Sequence, residues 1–223
     1  MKKVTLIGDC HSARLLEHWN PKTCPVDFKS WGKAGTTAWI ADPVKMNESK
    51  TLSSSTEGTP LYTEDRDSLY LDFSTIKNQD LILVWLGYVD IRQRLGDYKN
   101  ADECVKNYVQ RFVDYFKGTK IRFIEPLPQF IPLLMKFSGL HPEFTYEERM
   151  QQNKEFIEAL SKYSDEHGLE KPISQQQIFE YLGFGQDEMT SDKTPEDRPH
   201  PIDGLLPVHM AKIYNLIIEE ASK

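Results

Sequence analysis

The sequence predicts an α/β layered domain with a mainly parallel sheet, on three observations. Short apolar runs alternate along the chain with segments of helical period. One run, "DLILVWLG" (80–87), is apolar without interruption and bounded by turn signals, as in a strand covered on both faces. The stretch that follows reads helix and then strand, the crossover that joins parallel strands.

"KKVTLIGD" (2–9) opens the chain as a β-branched and apolar run ended by Gly-Asp, and "HSARLLEHW" (11–19) reads as helix until Asn20-Pro21 stops it. "VDFKSW" (26–31) alternates like a strand, and "GKAGTTAW" then brings two glycines where the backbone must turn sharply or approach something closely. Residues 42–68 are rich in Ser, Thr, Glu and Pro and have no period that buries a face, which predicts a long surface excursion. The run at 80–87 is the expected central strand. In "ECVKNYVQRFVDYF" (103–116), Val105, Tyr108, Val109, Phe112, Val113 and Phe116 recur at helical spacing, and "TKIRFIEP" (119–126) returns as a strand. A second helix is expected over 145–166, with Met150, Ile157 and Leu160 on one side, and a closing amphipathic helix over 203–221. No internal repeat is visible.

With 223 residues the chain is expected to form a single domain, 1–223, around one substantial core. A formal charge of −7 and the lack of a basic run argue against a partner recognised by phosphate neutralisation, so no nucleic-acid partner is expected. The apolar stretch after the two N-terminal lysines is too short for a secretory core and no later stretch approaches a membrane span, so the expectation is a cytoplasmic protein with no membrane partner. Cys10, Cys24 and Cys104 cannot all pair and form no C-x-x-C, which predicts free thiols.

In an open parallel sheet ligands bind beyond the carboxyl ends of the strands, which directs attention to loops 8–12, 31–37, 86–92 and 125–130. Three of these carry glycine with a polar or reactive group: Gly8-Asp9-Cys10-His11-Ser12, Gly32-Lys33-Ala34-Gly35-Thr36 and Gly87-Tyr88-Val89-Asp90. Near the C-terminus Asp197 precedes His200 by three residues. A carboxylate so placed can accept from the imidazole and leave its other nitrogen facing a nucleophile, giving the order Cys10, Asp197, His200. Taken alone, Cys10 reads better as a small residue buried in a crowded turn. Taken with Asp197 and His200 it reads better as a reactive thiol. Ser12 is the fallback hydroxyl, expected to face away from the apex of the turn. His11 reads equally as a solvent-facing or helix-supporting residue and as a substrate contact. Asp9 is expected to accept backbone N–H bonds around the turn, and Asp90 with Arg92 either to form an internal ion pair or to bind a polar substrate. His18, His141, His167 and His209 have no partner at metal-ligand spacing, so no metal and no cofactor is expected.

These blocks together resemble the SGNH hydrolase superfamily, the GDSL esterases and lipases, in Gly8-Asp9-Cys10, Gly35, Gly87-x-x-Asp90 and Asp197-x-x-His200 followed by "PIDGLLPVHMA". The resemblance implies a flavodoxin-like three-layer α/β/α sandwich with a mainly parallel sheet of about five strands. It implies a hydrolase that cleaves an ester or thioester, a carbohydrate O-acetyl ester among the candidates, with Cys10 as nucleophile, His200 as base and Asp197 as its orienter. Gly35, Tyr88, Asp90 and Arg92 would then serve the oxyanion and the substrate. "GYVDIR" looks like a Gly-Glu-x-Asp-x-Arg variant of divergent members.

Two departures fall on working positions: the family's nucleophilic serine is Cys10 and its oxyanion asparagine is Val89. A thiol at a helix start beside a histidine ionises more readily than the ordinary pKa of ~8.5 allows, so cysteine keeps acyl transfer open. Valine donates nothing. The alternative is therefore a catalytically degenerate fold kept as a binding or structural module, with the 42–68 segment as a partner contact.

Overall fold

The computed structural model describes residues 1–15, 18–20, 22–32, 76, 78–88, 90–91, 100–127, 146–183 and 207–223, with nothing to be said of the side chains of Cys10, Ala13, Trp31, Tyr146 and Pro207. The expected excursion at 42–68, Gly35, Val89, Arg92, Asp197 and His200 lie outside them.

In chain order the described elements are β1 (Lys3–Gly8), α1 (Cys10–Leu15), β2 (Asp27–Gly32), β3 (Leu81–Trp85), α2 (Ala101–Tyr115), β4 (Lys120–Phe123), α3 (Tyr146–Glu166), α4 (Gln175–Leu182) and α5 (Pro207–Ser222). The four strands are parallel in the order β2-β1-β3-β4. Beyond β4 a parallel bridge joins Ile124 to Ile173 and continues the ladder by one position. The order reverses between β1 and β3, because the chain leaves β1 for β2 on one side and returns to β3 on the other.

Alternation along each strand divides the apolar side chains between two cores. Val4, Leu6, Phe28, Leu81, Leu83 and Trp85 pack with α4 and α5, through residues such as Phe179, Ile213 and Ile217. Ile7, Ile82, Val84, Ile121 and Phe123 pack with α2 and α3, through residues such as Tyr108, Phe112 and Phe156. Helices thus cover both faces of the sheet, and β3 is buried along its whole length, as expected of the central strand. Fully burying one such side chain contributes roughly 1.5–3 kcal/mol.

The helix expected over 103–116 begins at Ala101, because the Asn100 side chain accepts the Glu103 N–H at 2.6 Å and starts the helix there. Helix α4 was not expected. Its Ser174 and Gln177 form a reciprocal capping box, and Gly183 ends it in the left-handed conformation at φ 79°. Cys24 and Cys104 are free thiols. No helix among the described residues is long and apolar enough to cross a membrane.

Candidate active site

The carboxyl ends of β1 and β3 meet at the reversal of strand order, and the sequence there permits an unusually close approach. Gly8 pairs in register with Trp85. A Cβ on Gly8 would lie 2.6 Å from the Trp85 carbonyl oxygen and 2.7 Å from Ser12 Oγ, so only glycine lets α1 fold back this tightly. Asp9 then caps the helix: its Oδ1 accepts the His11 backbone N–H at 2.9 Å, the bond of an N-cap carboxylate to the second helical residue. Ser12 Oγ donates to the Asp9 carbonyl at 2.8 Å, and Ser30 Oγ on β2 donates to the Ser12 carbonyl at 3.0 Å. Asp9 thus does what the sequence implied, and the Ser12 hydroxyl is spent within the turn. Cys10, between them, is the first residue of α1 and stands immediately beyond the carboxyl end of β1.

His11 is 1% exposed, so the solvent-facing alternative does not hold. Its Nδ1 lies 3.1 Å from Asp9 Oδ1, its ring packs against Trp85 with centroids 5.3 Å apart, and Tyr88 meets it edge-on at 4.5 Å. A side chain so enclosed supports the turn. Trp85 is anchored in turn, its Nε1 donating to the Glu125 carbonyl at 3.1 Å.

The loop after β3 continues this packing. Gly87 adopts φ +112°, where a Cβ would collide with Phe156 of α3. Tyr88 is buried against His11, and Asp90 is fully buried. The Asp90 carboxylate lies close enough to α2 that, second to burial itself, its charge raises the Cys104 thiol and the Tyr108 hydroxyl above their ordinary pKa values. On the next residue, the Ile91 carbonyl accepts from Arg149 Nη1 of α3 at 3.2 Å.

At the end of β4 stands Glu125, a residue that sequence reasoning passed over. Its carboxylate is buried and accepts the Gln175 N–H at the start of α4 at 2.7 Å. Burial pushes its pKa above the ordinary carboxylate range, and the Gln175 bond offsets only part of this. Gln175 Nε2 also donates to the Pro126 carbonyl and to Asn153 Oδ1, so β4, α3 and α4 are tied together at the same sheet edge. A charged residue directly after the apolar pair Phe123-Ile124 was the available signal.

Of the residues expected to act, the structure describes the backbone of Cys10, which opens α1 just beyond β1, and Tyr88 and Asp90, which follow β3, all at the reversal point. Among the described residues no group of His, Cys, Asp or Glu is arranged to hold a metal ion.

No protein-family model and no curated protein sequence matches the chain. Solved structures do match in fold. A lipase/acylhydrolase from Enterococcus faecalis shares 15% identity at a TM-score of 0.60, covering 100% of this chain and 96% of its own. A carbohydrate acetylesterase family member from Sinorhizobium meliloti shares 14% at a TM-score of 0.56, with 99% of each chain covered. An aryl esterase from M. smegmatis, solved with an inhibitor bound, shares 13% at a TM-score of 0.56, covering 99% of this chain and 98% of its own. The α/β fold of this chain is the fold of these three structures.

Proposed function

We propose that this chain is an SGNH-type hydrolase of one domain, 1–223, that cleaves a small-molecule ester or thioester through Cys10, His200 and Asp197. The observation that carries the reading is the position of Cys10, first in α1 and directly beyond β1 at the reversal of strand order. The fold shared with an acylhydrolase, an acetylesterase and an aryl esterase supports the same reaction class. A carbohydrate O-acetyl ester is the substrate to try first.

In this mechanism His200 takes the thiol proton while Asp197 holds its imidazole in the productive orientation. The Cys10 thiolate adds to the acyl carbon, and the negative charge that forms on the carbonyl oxygen is met by the backbone N–H groups of Cys10 and Gly35, with Tyr88, Asp90 and Arg92 shaping the rest of the site. Collapse of the tetrahedral species expels the alcohol, or the thiol of a thioester, which takes its proton from His200. Water activated by His200 then hydrolyses the acyl-cysteine.

Nitrophenyl esters, acetylated sugars and acyl thioesters assayed against wild type and Cys10→Ala test the proposal. Hydrolysis by wild type that is abolished in Cys10→Ala is expected, and equal hydrolysis by both would overturn it. A binding module is the second reading, favoured by Val89, since losing one oxyanion donor costs ~10²–10³ in rate. Cys10→Ser with Val89→Asn separates the two: an active double variant supports an enzyme, and a folded but inactive one supports the module.

A further inference from the structure

A cavity of 440 Å³ opens at the amino edge of the sheet, opposite the candidate active site, and its side chains are strongly basic in a chain of formal charge −7. Five cations, Lys2, Lys120, Arg122, Lys171 and Lys223, face it against two carboxylates, Glu170 and Glu220. Glu220 is spent twice: Oε2 accepts from Arg122 Nη1 at 2.7 Å and Oε1 from Lys223 Nζ at 2.5 Å. Burial pulls the Glu220 carboxyl upward, and Lys223 and Arg122 together hold it below the usual range, so it stays ionised and committed to them. Glu170 is largely exposed and stands 4.0 Å from Arg122 Nε, a weak contact. Lys2, Lys120 and Lys171 make no ion pair among the described residues.

The guanidinium is also fixed in place, because Arg122 Nε donates to the Lys171 carbonyl at 2.8 Å and its side chain is only 13% exposed. Alternation along β4 explains how the charges converge: Ile121 and Phe123 turn to the α2–α3 core, which leaves Lys120 and Arg122 together on the opposite face, toward α5. With Glu220 committed to Arg122 and Lys223, a compact polyvalent anion in the cavity would supply a counter-charge to these lysines, while an anchored guanidinium supplies planar donors. The cavity falls in the size range of small-ligand sites.

We propose that this cavity is a second binding site, separate from the proposed active site, for a phosphate-bearing small molecule. Calorimetric titration of the intact chain with sodium pyrophosphate and with inorganic phosphate, at low salt and against NaCl of equal ionic strength, tests it. Saturable one-site binding is expected, at least tenfold weaker in Lys120→Glu and in Lys171→Glu, and unchanged within twofold in Lys154→Glu, which makes the same charge change on the exposed side of α3. Lys120→Gln serves where the charge reversal does not fold. Cys10→Ala should bind as wild type does, whatever the fate of the hydrolase reading. The proposal is overturned by heats no larger than those of matched NaCl, by equal weakening in Lys154→Glu, or by citrate binding more tightly than pyrophosphate.

Discussion

Gly87 is the residue where one added carbon has the most to disturb. It lies two residues beyond β3 at φ +112°, and an added Cβ would stand 2.6 Å from Phe156 Cζ, 2.7 Å from Phe156 Cε1 and 3.2 Å from Pro126 Cγ. Gly87→Ala therefore meets two separable costs. Holding an L-residue in that backbone region costs about 1–3 kcal/mol, and forcing a methyl into a packed core costs about 1–3 kcal/mol more. Phe156 is fully buried in α3 and cannot swing into solvent, so neither cost is readily escaped. The expected loss is about 3 kcal/mol, read as a shift of the urea midpoint with the slope unchanged. A double-mutant cycle divides it. Phe156→Leu makes room for the methyl but leaves the backbone strain, so Gly87→Ala should cost about 1–2 kcal/mol less in that background than in wild type. Because Tyr88 follows Gly87 and packs on His11, the proposed hydrolysis should also fall in Gly87→Ala more than its unfolded fraction explains. A single variant within about 0.5 kcal/mol of wild type, where ordinary surface changes fall, would refute the reasoning.

Gly8→Ala should destabilise by about 3 kcal/mol, since its Cβ meets the Trp85 carbonyl of the neighbouring strand and cannot be accommodated by a rotamer change; an unshifted thermal midpoint would count against the close approach. The Tyr108 hydroxyl is buried with no hydrogen-bond partner among the described residues, so Tyr108→Phe should be neutral or stabilise by about 1 kcal/mol; a loss of 1 kcal/mol in urea unfolding would show that the hydroxyl is satisfied. For Glu125 the sign follows from a carboxyl whose folded pKa stands above its unfolded value: the stability it contributes is full below the unfolded pKa and is lost as pH rises through the folded one. Glu125→Gln, which keeps an acceptor for the Gln175 N–H, should therefore gain on wild type as pH rises above the ordinary glutamate pKa of about 4.3, and parallel stability profiles would contradict the raised pKa. Iodoacetamide at neutral pH should label Cys10 before Cys24 and Cys104, because both of those are buried and burial lifts the Cys104 thiol far above its ordinary pKa; faster labelling of either would remove the case for an activated Cys10.

What could be read from the sequence was whatever the chain encodes locally. An unbroken apolar run such as 80–87 needs cover on both faces wherever it sits, so β3 was legible as the central strand, and the 3.6-residue period of 103–116 was legible as a helix. Helix α4 was equally local and could have been found: Ser174 and Gln177 carry the capping-box spacing and Gly183 follows the last apolar turn, but eight residues give too short a period to stand out. His11 is a different matter. In a six-residue helix periodicity does not say which face is covered, and what covers His11 is Trp85 and Tyr88, more than seventy residues away in sequence. Glu125 is hidden for the same reason, since its partner is the first N–H of α4, fifty residues on. The residues that most constrain the site thus do so by contacts a local pattern cannot contain. Gly8 shows how the two kinds of information join: a glycine before Asp-Cys reads as a turn, yet the oxygen that forbids any other residue belongs to Trp85 on the next strand. A substitution there would disturb β3 as much as the turn itself, and that coupling is what makes the position of Cys10 depend on the whole sheet edge.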